Sequence, residues 1–464
     1  MLMNRENTMD WQEYLNKHRD RFVGELMEFV KIPSISAQSQ HKDDVLKAGE
    51  WVAERLKNAG LDHVEIFQTE GHPFVYADWI RNKNLPTILI YGHFDVQPTD
   101  PLDLWDSPPF EPVIQDGRIY GRGASDDKGN LLSPIAAVEA MLKTDGSLPI
   151  NIKFFAEGQE EIGSPQLPQF ISGHRDLLAC DLVVSADGLQ WSPDQPKIEI
   201  GYRGMMAAEI EVQGPVKDFH SGLYGGVVQN PIHALAHILA SFHDTKGRVA
   251  VSGFYDEVIE PSEEEKALLA RLPVLESEIR DHVQVDELFG ESGYTAMERG
   301  TIRPTLEICG IQGGYQGEGI KGVVPALAKA KITCRLVAGQ DPDKIMEAIR
   351  VHVKTFTLPG VRVNFMNCEG RVKAYDMPHD HKGNIAVSNV LKKLYGKDPF
   401  VSRCGGTIPI CPLFLDGLGV HTVNFAFSYE DENLHSPNEF FRLESMEKGQ
   451  KGYGMLLREL AKVF

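Results

Sequence analysis

Thr87-Ile88-Leu89-Ile90-Tyr91-Gly92-His93-Phe94-Asp95 is an apolar, β-branched run that breaks at a glycine and ends on a histidine and a carboxylate. Such a run suits a strand buried on both faces, although a short one can also be buried helix. The arrangement recurs along the chain. Ile150–Ala156 stops before Glu157, Leu182–Ser185 stops before Asp187, and Val420–Phe427 precedes His435. Leu131–Leu142 lies between two of these runs and reads as helix. The alternation predicts an α/β architecture with a largely parallel sheet. Ligands of such sheets bind beyond the carboxyl ends of the strands. Nearly all the candidate ligand residues of this chain stand at those ends.

At 464 residues the chain exceeds one ordinary core, so two or three domains are expected. Residues 1–203 and 375–464 carry the α/β texture. Between them, 204–374 reads differently. Met205–Val212 and Ala328–Val337 alternate apolar and polar residues like half-exposed strands, and Val361–Phe365 is a further strand. Pro231–Phe242 and Asp341–Val353 read as helices. The order strand, helix, strand, helix, strand predicts an α+β layer of antiparallel sheet and helices. Within it, a charged segment of about Ser241–Pro304 is inserted, with no role assigned. The expectation is a catalytic domain interrupted by an inserted domain.

Lys and Arg number 47 against 66 Asp and Glu, a formal net charge of −19. That balance disfavours nucleic acid or an anionic membrane as partner. No apolar stretch reaches the roughly 18 residues of a membrane helix, and Met1–Trp11 lacks an apolar signal core. The cysteines (Cys180, Cys309, Cys334, Cys368, Cys404 and Cys411) form no Cys-x-x-Cys pair. Thiols in a reducing cytoplasm are expected rather than a disulfide framework.

Histidine nitrogen and carboxylate oxygen suit hard and borderline divalent cations. Two cations about 3.5–4 Å apart need one bridging carboxylate and further ligands on each side. Two histidines and three acids suffice. Singly, each candidate has an ordinary alternative. His93 could be structural, with Asp95 fixing its tautomer. Asp126, in Gly121-Arg122-Gly123-Ala124-Ser125-Asp126-Asp127-Lys128-Gly129, could cap a helix. Glu160 and Glu161 could be a solvated pair, Asp187 a turn residue and His435 a loop histidine. Their joint occurrence near strand ends favours a shared site.

These stretches, with Glu157-Gly158-Gln159-Glu160-Glu161-Ile162-Gly163-Ser164, Asp218-Phe219-His220-Ser221-Gly222 and Cys404-Gly405-Gly406-Thr407-Ile408-Pro409, resemble the M20 family of metallopeptidases. The resemblance spans essentially the whole chain and is nearest to the cytosolic non-specific dipeptidases and carnosinases. It implies a mostly parallel-sheet catalytic domain with an inserted lid and dimerisation domain. It implies that His93, Asp126 and Asp187 hold one metal and that Asp126, Glu161 and His435 hold the other. Two divalent ions per subunit follow, zinc first, with manganese or cobalt as alternatives. It further implies that Asp95 orients His93 and that Glu160 is the general base acting on a metal-activated water. His220 would reach across a homodimer to help the developing oxyanion. Arg335 would take the substrate's terminal carboxylate, although an exposed strand charge is an equal alternative, and Thr407 would join it in binding substrate. The implied activity is hydrolysis of dipeptides with a free carboxyl terminus. The alternatives are an amidase that removes an acyl group from an amino acid by the same chemistry, and an inactive binding protein.

Two glycine-rich stretches, Gly310–Tyr315 and Gly317–Gly322, lack the Lys-Ser/Thr ending of a phosphate loop and are expected to be turns or substrate-lining loops. His233 and His237 lack the intervening acid of a helical zinc motif and are expected to be helix-face residues.

Overall fold

The computed structural model describes residues 9–368 and 370–464. The polar start read above as lacking a signal core lies, as far as residue 8, outside the described residues, as does Glu369. The chain divides into two compact units. One comprises Met1–Ile200, Met377–Val401 and Leu413–Phe464; the other comprises Gly201–Asp376 and Ser402–Pro412. In chain order, the elements that matter are β1 (His63–Phe67), β2 (Phe74–Trp79), β3 (Thr87–His93), α1 (Asn130–Thr144), β4 (Asn151–Glu157), β5 (Leu182–Ser185), β6 (Gly204–Gln213), α2 (Pro231–Ala240), β7 (Thr305–Gly313), β8 (Leu327–Leu336), α3 (Pro342–Thr355), β9 (Arg362–Asn367), β10 (Thr422–Asn424) and α4 (Leu443–Val463).

The first unit is built on a six-stranded sheet of order β1-β2-β4-β3-β5-β10. β3 pairs parallel with β4 and β5, and β5 pairs parallel with β10. β2 is antiparallel to both its neighbours, so it alone runs against the other five strands. Every residue of β4 is buried, as is β3 beyond Thr87. That is why these strands read as unbroken apolar runs rather than alternating ones. Each fully buried Ile, Leu or Phe contributes ~1.5–3 kcal/mol relative to exposure. α1 is buried from Asn130 to Met141 and packs against α4. The two helices approach closely: a Cβ at Gly449 would meet Ser133 Oγ at 2.7 Å.

The second unit carries a four-stranded antiparallel sheet of order β7-β8-β6-β9. β6 alternates strictly between buried and half-buried residues. Its inward side chains, Met206, Ala208, Ile210 and Val212, join Leu235 and Ile238 of α2 and Ile349 of α3 in one core. Both helices begin as the sequence suggests. Asn230 caps α2 ahead of Pro231, and Asp341 caps α3 ahead of Pro342. The glycine-rich stretch from Gly310 differs from expectation. Gly310–Gly313 continues β7, with a register shift between Ile308 and Gly310. Pairing with β8 there outweighs the low strand propensity of glycine. The charged segment after Ser241 holds three short helices, Glu263–Leu269, Glu276–Val283 and Ala296–Thr301. Among its contacts, Arg303 donates to buried Glu291 at 2.8 Å.

No disulfide joins any of the six cysteines. Among the described residues, no helix is long and apolar enough to cross a membrane.

Candidate metal centre

The carboxyl ends of the parallel strands bring the candidate ligands together. His93 is the last residue of β3 and is fully buried. Its neighbour Gly92 is dictated by space: a Cβ there would meet Asp127 Oδ2 at 2.8 Å and Leu131 Cδ1 at 2.9 Å. Asp127 in turn accepts the His93 backbone N–H at 3.1 Å. Asp187 stands two residues beyond the end of β5. Glu160 and Glu161 open a short 3₁₀ turn just past β4.

Asp126 lies in the tight turn Ala124–Gly129 that leads into α1, and the Asp126–Asp127 peptide bond is cis. Asp126 does not cap that helix, whose N-cap is Gly129 without a side-chain bond. Its carboxylate faces the two histidines instead. Oδ1 lies 3.1 Å from His93 Nε2, and Oδ2 lies 2.9 Å from His435 Nε2. His435 Nε2 is also 3.3 Å from Glu161 Oε2. Donor atoms of His93, Asp126 and Asp187 all lie within 4.8 Å of one another, and so do those of Asp126, Glu161 and His435. Asp126 is common to both groups.

The electrostatics are those of a pocket crowded with acid. Burial, with the charge of Asp126 adding, raises Asp187 to about 7. Burial also raises Glu160 well above the usual carboxylate range, with Asp187 and Glu161 adding to it. Glu161 is raised by burial and by Asp126. Asp126 is the exception. Burial alone would raise it, but hydrogen bonds from His435 and His93 outweigh burial and hold it low. His435 is raised to about 10 by its bonds to Asp126 and Glu161. Three acids are thus pushed towards their neutral forms around a charged Asp126, and positive charge at the two groups would favour their ionised, ligating forms. Nitrogen and oxygen donors with no thiol among them suit a hard or borderline divalent cation.

Several supporting contacts carried no signal in the sequence, including further ones made by Asp95. Asp95 does more than face His93, whose Nδ1 is 3.5 Å from Asp95 Oδ1 and 3.2 Å from its backbone oxygen. Its two carboxylate oxygens accept the backbone N–H groups of Glu160 and Glu161, each at 3.1 Å. Gln97 Nε2 donates to Glu161 Oε2 at 2.7 Å. Glu432 and Glu439, on either side of His435 in the chain, are fully buried and bond to the Asp126 turn. Glutamines and loop acids of this kind cannot be told from solvated ones by spacing alone.

The remaining candidates belong to the second unit. His220 is exposed, and its Nδ1 accepts the Gly222 N–H at 2.9 Å. Arg335 projects from β8, and its Nη1 donates to Thr407 Oγ1 at 2.6 Å. Thr407 donates to the Arg203 carbonyl at 2.7 Å. The Arg203 guanidinium donates to the Gly405 carbonyl at 2.9 Å. Burial and the charge of Arg335 lower Arg203 to about 10. Two guanidiniums therefore lie near one another, and among the described residues neither has a carboxylate in ion-pair contact. An anion would find its counter-charge here.

The model of Peptidase family M20/M25/M40 matches residues 89–459. The chain is 28% identical over 467 residues to the Beta-Ala-His dipeptidase of Rattus norvegicus, covering 97% of this chain and 95% of that protein. Among solved structures it is similar to the dipeptidase Dug1p of Saccharomyces cerevisiae, at 26% identity and a TM-score of 0.78, covering 98% of this chain and 99% of that one. It is also similar to the M20 family metallo-carboxypeptidase Sso-CP2 of Sulfolobus solfataricus, at 32% identity and a TM-score of 0.83, covering 96% and 100%.

Proposed function

The chain belongs to peptidase family M20/M25/M40, and from that premise we propose that it is a metallo-dipeptidase acting on short peptides with a free carboxyl terminus. The observation that carries this reading is the bridging posture of Asp126, whose two oxygens face His93 and His435. In this reading His93, Asp126 and Asp187 hold one divalent cation and Asp126, Glu161 and His435 hold a second, zinc before manganese or cobalt. When bound, the cations supply Lewis-acid polarisation of the scissile carbonyl and acidify the attacking water.

The chain's own residues do the rest. Glu160 takes the proton of that water and hands it to the leaving amine nitrogen. With the surrounding negative charge neutralised, its carboxylate is ionised and able to accept. Asp95 fixes the ring of His93 and the turn that carries Glu160. Arg335, with Thr407 at its side, takes the terminal carboxylate through its planar fork. The enzyme is a cytoplasmic homodimer in which residues 204–374 serve as lid and dimerisation domain. His220 of one subunit donates to the oxyanion formed in the other.

The likeness to a metallo-carboxypeptidase favours a second reading, in which longer peptides are trimmed from the carboxyl end. One panel separates the two: dipeptides, tripeptides, longer peptides, N-acyl amino acids and a C-terminally amidated dipeptide, each with zinc, manganese or cobalt. Dipeptides are expected to be cut well and long peptides hardly at all. Efficient release of the last residue of long peptides would favour the carboxypeptidase. Efficient cleavage of the amidated dipeptide would remove the role given to Arg335. Metal analysis of Asp126→Ala is expected to show loss of both ions, and full occupancy in that variant would end the bridging assignment.

A further inference from the structure

The segment that carries His435 grips the turn that carries Asp126, through residues the proposed reaction does not touch. Glu439 is the centre of this grip and is fully buried. Its Oε1 accepts the backbone N–H groups of Ser125 at 3.0 Å and Asp126 at 3.1 Å. Its Oε2 accepts the Gly123 N–H at 2.8 Å and is paired with Arg122 Nη1 at 2.8 Å. Its backbone carbonyl accepts the Gly121 N–H at 2.9 Å. One residue thus satisfies four main-chain donors of a buried turn, and such donors are rarely left unpaired.

Glu432 works from the other side of His435. It is fully buried, accepts the Ser125 hydroxyl at 2.5 Å and is paired with Arg442 at 2.7 Å. Between the two glutamates the chain is left-handed at Asn433 (φ 55°), His435 (φ 60°) and Asn438 (φ 61°). Residues with a Cβ disfavour this conformation and hold it only where their surroundings over-determine it. The loop bearing His435 is therefore fastened at both ends to the turn bearing Asp126.

We infer that Glu439 is a positioning residue of the metal centre. It sets the main chain at Asp126 so that Oδ1 turns to His93 and Oδ2 to His435, and it does so from the segment that supplies His435. The inference rests on the metal-ligand reading above, with Asp126 shared between two cations. A carboxylate is required because every group facing it is a donor. An amide in its place would turn its own N–H towards other N–H groups.

The test is cobalt titration of the metal-free full-length protein, read by visible absorption and by competition with a chelator. Four proteins are compared: the unaltered protein, Asp126→Ala, Glu439→Gln and Glu439→Asp. Folding of each is followed by circular dichroism and thermal unfolding. The unaltered protein is expected to bind two cobalt ions and Asp126→Ala to lose both. Glu439→Gln is expected to fold, to bind cobalt about 10–100-fold more weakly, and to show an altered visible spectrum. Should Glu439→Gln fail to fold, Glu439→Asp decides, because its carboxylate is withdrawn by one methylene from the Asp126 N–H; the same weakening is expected there. Unaltered affinity and spectrum in a folded Glu439 variant, with or without a lower melting temperature, would overturn the inference and leave Glu439 a purely structural residue. If the unaltered protein bound no cobalt, or Asp126→Ala bound it normally, the metal reading itself would fall.

Discussion

Asp95 Oδ1 accepts the backbone N–H of Glu160 at 3.1 Å, so the residue that faces the His93 ring also holds the turn bearing the proposed base. Its other oxygen holds Glu161 in the same way. Asp95→Ala is therefore expected to fail on two counts, with turnover reduced at least about 10-fold and metal affinity weakened about 10–100-fold. Steady-state kinetics at saturating metal, together with metal titration, check this. A variant impaired in neither would mean that the contacts of Asp95 serve the fold alone.

The adjacent acids should fail differently. Glu160→Gln is expected to keep its metal and lose 10²–10⁴-fold in kcat, the usual contribution of a positioned acid or base. Glu161→Gln, which loses a carboxylate beside His435, is expected to lose metal affinity first and to regain activity as metal is raised. Near-normal turnover in Glu160→Gln would remove it as the base.

Metal loading should release protons. In the metal-free protein Asp126 and Glu161 raise His435 to about 10, so its imidazole is protonated at neutral pH and must be deprotonated to coordinate. Calorimetric heats of zinc binding at pH 7 are expected to differ between buffers of different ionisation enthalpy, and affinity to fall as pH is lowered. Equal heats in both buffers would contradict this. The sign for stability is the reverse. A raised histidine stabilises the metal-free fold fully below its unfolded value of about 6.5, and that contribution disappears as pH rises through 10.

Glu157, at the end of β4, gives a second pH dependence. Burial raises it to about 7, with the charge of Asp95 adding and the Tyr91 hydrogen bond opposing. Its folded pKa lies above its unfolded value, so its contribution is present below about 4.5 and is lost as pH rises through 7. Glu157→Gln, which can still accept from Tyr91 and Ser164, should gain stability relative to the unaltered protein as pH is raised across that window. Parallel melting curves at pH 4.5 and 8 would show that Glu157 is ionised without penalty.

If His220 acts across a dimer, Glu160→Ala and His220→Ala damage different halves of each composite site. Mixed under conditions that exchange subunits, two nearly inactive proteins should regain activity in proportion to the heterodimer present, up to one working site per heterodimer. No recovery despite proven exchange would confine His220 to its own chain or to no catalytic role.

The parallel core was legible because burial on both faces leaves an unbroken apolar run. Thr87–Tyr91 and Leu182–Ser185 fall within or match β3 and β5. β6 and β8 were legible for the opposite reason, since one face packs and the other does not. β1 and β2 were not picked out. His63–Phe67 has no buried residue, and Phe74–Trp79 stops at no candidate ligand. In the centre, residues whose chemistry is unusual for their position stood out: His93 after a strand, paired acids at Glu160 and Glu161, Asp187 before a glycine. Glu432, Glu439 and Gln97 did not, because their roles depend on main-chain donors and side chains tens to hundreds of positions away. The left-handed turn at His435 was equally silent, since neither Asn433 nor Asn438 demands it.

The two histidines differ in one respect that governs traffic. The His93 side chain is fully sealed, whereas that of His435 is 54% exposed. If both groups hold a cation, as proposed, the two are expected to exchange in sequence. A chelator reaches the His435 side first, and a half-loaded protein is expected to persist before the sealed position empties. A slow cation at the His93 position and a labile one at the His435 position should then be separable by their exchange rates alone.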